Sequence, residues 1–250
     1  MTTNNFHFVL CDTDAVCFCK EDGSPFSKEE QVSLLEQLNS IYPEYINFEH
    51  DGVFSRLLCV KAKNYVMYDG EELEYKGSAF KSATKEKALA SLLKEVVEAL
   101  IFETDTPVNI YHKYIKEALN ITDMSRWVVK KSVTKKLLNG TRTNETKVLD
   151  AVDTDTIREG DKLYLYYAID GEIQVIAKGE PQFYKDGRPK MTENKILKQL
   201  HEFDGNYDKL HYIKRVYDTV SILKTVINME EIPKYHLGKN KDLLEELCRS

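Results

Sequence analysis

Phe6-His7-Phe8-Val9-Leu10-Cys11-Asp12-Thr13-Asp14-Ala15-Val16-Cys17-Phe18-Cys19-Lys20 is the stretch on which the fold turns. Phe6 to Leu10 is apolar and aromatic, Cys11 to Asp14 interrupts it with polar residues, and Ala15 to Cys19 resumes it before the turn signal Glu21-Asp22-Gly23-Ser24-Pro25. Such a pattern predicts a strand, a tight polar turn and a returning strand. Two carboxylates, Asp12 and Asp14, are then fixed on or beside one hairpin tip.

Beyond the hairpin, Ser27-Lys28-Glu29-Glu30 fits a capping box, and Val32, Leu35, Leu38 and Ile41 or Tyr42 recur at helical spacing, which predicts a helix from Ser27 to Tyr42. Ile46 to Glu49, Val53 to Ala62 and Tyr65 to Tyr68 read as short strands, with Asp51-Gly52 and Asp69-Gly70 as hairpin turns. From Thr84 to Phe102 and Pro107 to Leu119 the period becomes helical, with Leu89, Leu92, Leu93, Val96 and Leu100 as the apolar stripe. Further on, 160–167 and 173–177 read as two strands joined by Asp170-Gly171. Helices are expected at Thr192 to Phe203, Tyr207 to Val226 and Asp242 to Leu247. The order predicts an α+β fold, a sheet layer followed by helices.

Composition bounds the function. At 250 residues and 42% hydrophobic, the chain is long enough for one large domain or two small ones. The sequence starts without a signal-like pattern and has no apolar run near the roughly 18 residues of a membrane span, so a soluble, intracellular protein with no membrane partner is expected. The five cysteines are odd in number and form no C-x-x-C pair, and they read as reduced packing residues. A net charge of −6 argues mildly against nucleic acid. Between Arg126 and Lys147, however, Arg126, Lys130, Lys131, Lys135, Lys136, Arg142 and Lys147 face a single acid, Glu145, which makes a local basic patch.

A D-x-D pair on a rigid hairpin suits Mg²⁺, which takes one or two carboxylates together with substrate phosphates and waters. An ordinary polar turn looks the same, and Asp153-Thr154-Asp155 repeats the tripeptide in a polar stretch that reads as a loop or a helix cap. Context has to separate the two copies. No H-E-x-x-H occurs, Asp204 to Asp208 starts like a calcium loop but has Lys209 where glycine is needed, and Gly238-Lys239 lacks the earlier P-loop glycine.

Taken in order, the segments resemble the end of the palm and the thumb of family B DNA polymerases. Asp12-Thr13-Asp14 resembles that family's third palm motif, with Leu10, Cys11 and Ala15 where Tyr-Gly and Ser are usual. Lys61-Ala62-Lys63-Asn64-Tyr65 resembles its Lys-Lys-x-Tyr motif, and Lys76-Gly77-Ser78 with Lys81 resembles the passage from palm to thumb. Trp127 to Lys135, Gly160 to Tyr164 and Tyr207 to Ile213 resemble thumb elements, so the likeness runs from about Phe6 to Val226.

The resemblance implies a partial palm, an antiparallel sheet with a helix, over 1–83, then a mainly helical thumb with a small β element over 84–250. It implies DNA-directed nucleotidyl transfer at a two-metal Mg²⁺ site, with Asp14 as direct ligand, Asp12 shaping the site or touching metal more loosely, and Glu49 as a neighbour. Lys61, Lys63, Tyr65 and Lys81 would touch primer-template DNA, and Lys130, Lys131, Lys135 and Lys136 would grip duplex phosphates.

Only eleven residues precede Asp12. Exonuclease, first palm aspartate and the fingers that hold the dNTP are therefore expected on an upstream polymerase subunit, as in a split polymerase, or on the missing part of a longer chain. A sliding clamp or processivity factor belongs to the same set of partners, although residues 242–247 lack the aromatic pair of a clamp motif. A separately encoded subunit suggests a viral source acting in host cytoplasm or nucleus. The alternative is a non-catalytic DNA-binding or assembly subunit with a degenerate palm, which Cys11 and Ala15 favour.

Overall fold

The computed structural model describes residues 6–12, 15–82, 85–143, 147, 149, 157–169, 173–177, 185–187, 198–199 and 203–235. The chain falls into two compact units, Met1–Gly77 and Ser78–Ser250. Both are mixtures of helix and strand, as the α+β reading requires.

In the first unit, β1 (Phe6–Asp12) and β2 (Ala15–Lys20) pair antiparallel, with Asp12 opposite Ala15 at the closing end and an irregularity between Phe8 and Leu10. The hairpin expected there is formed. α1 (Lys28–Ile41) starts at the capping box: Ser27 Oγ accepts from the Glu30 amide at 3.2 Å while a Glu30 carboxylate oxygen accepts from the Ser27 amide at 2.7 Å. Reciprocal bonds of this kind satisfy two amides that the first turn leaves without partners.

Ile46 to Glu49 is not the expected strand. The Asn39 side chain accepts from the Phe48 amide at 2.6 Å and donates to the Phe48 carbonyl at 3.1 Å, so both backbone groups that a strand ladder would use are bound to α1. Without a strand before it, Asp51-Gly52 makes no hairpin.

β3 (Arg56–Lys61), β4 (Asn64–Tyr68) and β5 (Leu73–Lys76) form an antiparallel sheet in that order. Central β4 buries Asn64, Tyr65, Val66 and Met67 in succession, which is the pattern of a strand covered on both faces. Asp69-Gly70 turns β4 into β5, with Asp69 Oδ1 accepting from the Glu71 and Glu72 amides and Gly70 at φ 113°. Among the described residues the hairpin and this sheet share no ladder, so the single antiparallel sheet expected from the sequence is two sheets.

In the second unit, α2 (Ser78–Ser82) precedes α3 (Lys87–Phe102) and α4 (Pro107–Leu119). Pro107 suits the first turn, where its missing amide would have had no partner, and Thr106 caps by accepting from Asn109. α6 (Lys209–Val220) packs on both long helices and buries Tyr212, Ile213, Val216 and Val220. Leu89, Leu92, Val96, Tyr111, Tyr114 and Ile115 are buried on the faces of α3 and α4, as the apolar stripe predicts.

A four-stranded sheet accompanies the helices: β6 (Val129–Ser132), β7 (Lys162–Tyr167) and β8 (Ile173–Ala177) are antiparallel, and β9 (Lys198–Gln199) joins parallel to β8. Its core is Val133, Leu137, Leu149, Ile157, Leu163 and Leu165, with α5 (Lys135–Leu138) contributing Leu137. Lys198–Gln199 contradicts the helix expected over Thr192 to Phe203, because β8 offers an open ladder and the two residues pair with it. Asp170-Gly171, Asp153 to Asp155 and the helix expected at Asp242 to Leu247 lie outside the described residues. Among the described residues no helix is long and apolar enough to cross a membrane.

Candidate functional site

Asp12 ends β1, and the folding of the first unit brings to it two residues from beyond position 60. Tyr65 Oη donates to Asp12 Oδ2 at 3.3 Å, and Lys63 Nζ lies 3.8 Å from Asp12 Oδ1. Both carboxylate oxygens are therefore engaged from β4 and the turn before it. Tyr65 is buried, and burial first, then the charge of Asp12, pushes its pKa upward. The phenol remains protonated and serves as a donor.

Lys63 reaches Asp12 from an unusual backbone. It sits in the two-residue turn between Lys61 and Asn64 with φ 58°, in the left-handed region that non-glycine residues rarely enter. Gly77 packs against this turn: a Cβ there would lie 2.2 Å from the Lys63 carbonyl oxygen and 2.5 Å from Asn64 Oδ1. Its φ of 105° adds a second reason for glycine. Asn64 is buried, and its side-chain Nδ2 donates to the Ala62 carbonyl at 2.9 Å, closing the turn.

Asp14, the other expected ligand, lies outside the described residues, as does the Lys81 side chain in α2. Lys61 is exposed at the end of β3. Glu49 is exposed in the irregular segment that follows α1 rather than on a palm-like strand. Among the described residues no group of three His, Cys, Asp or Glu side chains is placed to share a metal ion. What Asp12 offers is one hard carboxylate at a hairpin end. That fits Mg²⁺, which binds through one or two carboxylates and completes its shell with phosphates and water.

Among the described residues the cysteines are free thiols, but not the packing residues expected: Cys11 and Cys19 are exposed and Cys17 half-buried in a two-stranded hairpin that leaves a face uncovered, and Cys59 is exposed in β3, while Cys248 lies outside the described residues. Burial first, then Cys59 and Asp51, raises the Cys17 pKa, so its thiol is not activated.

The basic patch separates into parts. Lys130 stands over the ring of its cross-strand partner Tyr164 at 5.8 Å and is exposed. Lys131, one residue on, belongs to the opposite face of β6, where burial, then Lys85, lowers its pKa. Lys135 and Lys136 are exposed in α5, Lys135 4.0 Å from Glu159. Arg126 is bound to Glu117 at 2.6 Å, and Arg142 donates to the Leu137 carbonyl. These two arginines serve the fold, and Lys130, Lys135 and Lys136 are the exposed lysines among those expected to hold phosphates.

Sequence reasoning missed the pairing of Tyr65 and Lys63 with Asp12, which no spacing of some fifty residues reveals. The fixed turn at Gly77 had one signal, a glycine in a short polar run after a strand.

The chain matches no protein-family model, and no curated protein matches it in sequence. Among solved structures it is similar to the family B DNA polymerase from the hyperthermophilic archaeon Pyrobaculum calidifontis, with a TM-score of 0.54 at 15% identity. The match covers 89% of this chain and 27% of the polymerase, so the chain spans about a quarter of that protein's length. At this identity the likeness is one of fold.

Proposed function

We propose that this chain is the end of the palm and the thumb of a family B DNA polymerase and works as one part of a split enzyme. The observation that carries the reading is the fold likeness over 89% of the chain to a segment of such a polymerase. It is supported by the convergence of Asp12, Lys63 and Tyr65, drawn from two separate motifs of the resemblance.

On this reading Asp14 and Asp12 would hold Mg²⁺, which when bound neutralises charge at a transferring phosphoryl group. Tyr65 and Lys63 orient Asp12. Exposed Lys130, Lys135 and Lys136 hold duplex phosphates without reading sequence, and Lys61 and Lys81 extend the DNA contact near the palm. Exonuclease, first palm aspartate and fingers with their dNTP site come from an upstream polypeptide, and Glu49 is a neighbour of the metal site.

Primer extension with Mg²⁺ tests the proposal, using the chain alone and mixed with the upstream subunit, wild type beside Asp14→Ala. Extension only in the wild-type mixture is expected, with a loss of at least about a hundredfold in the variant, the scale on which electrostatic stabilisers act. Equal extension by Asp14→Ala would leave the alternative, a non-catalytic DNA-binding or assembly subunit, for which Cys11 and Ala15 beside the carboxylates speak.

A further inference from the structure

We propose that Lys63 is a built-in counter-ion for Asp12, holding the carboxylate in place until a divalent cation takes its oxygen, with Gly77 fixing the turn from which the lysine reaches. The inference rests on the reading of Asp12 as a metal-site residue and gives Lys63 a task other than touching DNA.

Three observations carry it. Both Asp12 oxygens are engaged, Oδ2 by the buried Tyr65 and Oδ1 by Lys63, so a cation approaching Oδ1 meets an ammonium already there. The two contacts differ in how easily they give way. The Lys63 side chain is 69% exposed and reaches Oδ1 from a turn, whereas Tyr65 is buried and fixed in the central strand. The backbone that aims Lys63 is held in a left-handed conformation against a glycine that admits no side chain, which places a flexible, displaceable charge on a rigid base.

Lys63 is thus a positioning residue. Once displaced, its ammonium meets the phosphate that accompanies the cation. Because the ammonium itself is solvent-exposed, its grip on the half-buried Asp12 is modest, and removing it changes cation affinity by about two- to fivefold.

Mn²⁺ titration of the chain assembled with the upstream subunit, followed by electron paramagnetic resonance and referenced to that subunit alone, tests this without activity. Lys63→Met is expected to tighten Mn²⁺ binding about two- to fivefold, Lys63→Arg to leave it as in wild type, and Asp12→Asn to abolish the gain. A merely structural lysine would loosen binding when removed. If Lys63→Met leaves the affinity unchanged or weakens it while Asp12→Asn still loses Mn²⁺, the counter-ion role is overturned and the metal reading of Asp12 stands. If neither wild type nor Lys63→Met adds Mn²⁺ binding to that of the upstream subunit alone, the metal reading falls and this inference with it. In cation-free buffer, Lys63→Met and Gly77→Ala should each speed amide exchange in β1, and unchanged exchange in Lys63→Met would count against the tie.

Discussion

Glu86 is the buried acid among the described residues of the second unit, at 1% exposure, and Arg215 meets it with two bonds, Nε to Oε1 at 3.0 Å and Nη2 to Oε2 at 2.8 Å. Burial alone would lower the Arg215 pKa, but the bonds and charge of Glu86 outweigh it and the guanidinium is held above its usual value. Removing one partner leaves the other charge half out of water, so Glu86→Ala should cost about 3 kcal/mol in a denaturant titration. One turn away His211 stacks on Tyr167 at 3.6 Å, and burial, then the charge of Arg215, pulls its pKa down to about 4 against the partial opposition of Asp208 and Glu86. An unfolded imidazole takes its proton near 6.5, so the unfolded chain binds it first as pH falls. Stability should therefore drop between pH 6.5 and about 4, and His211→Gln should remove that slope in thermal melts across the range. Neither interaction follows from the sequence, because the helical period places a residue on a face without saying what will cover that face.

Elements with strong local chemistry were the legible ones. Helix α1 buries none of its residues, with Val32 and Ile41 at 57% and 74% exposure, so its ends matter more than its packing. Ser27→Ala should cost about 1 kcal/mol, read as faster amide exchange over 28–41. α4, with its cap and proline, also came out where expected. Ile46 to Glu49 failed for the opposite reason: its alternation of apolar and polar residues suits a strand, but Asn39, nine residues away, takes the backbone bonds that a ladder needs. β6 shows what a basic run conceals. Lys130 and Lys131 are neighbours in sequence and go to opposite faces of one strand, so they cannot share a phosphate track by adjacency alone.

The two units differ in how they are held. Ser78–Ser250 has a helical core in which Leu92, Tyr111, Ile115 and Val216 are fully enclosed, whereas Met1–Gly77 leaves Phe8, Ile41, Tyr45 and Val53 exposed. Leu92→Ala should cost about 2–5 kcal/mol by the cavity it opens. Limited proteolysis should cut the first unit before the second, and cutting in the reverse order would contradict this division of the core. Local chemistry sufficed for the hairpin, the capped helices and the α+β class, since turn residues, caps and apolar period act within a few residues of one another. The candidate site was half legible: Asp12, Lys63 and Tyr65 could be named from motifs, but not that they meet. That meeting, the split of the first unit into two sheets and the burial of Glu86 against Arg215 depend on contacts across 50 to 130 residues, where position is set by packing of whole elements. A carboxylate finds its counter-ion only once the surrounding strands have fixed both in space.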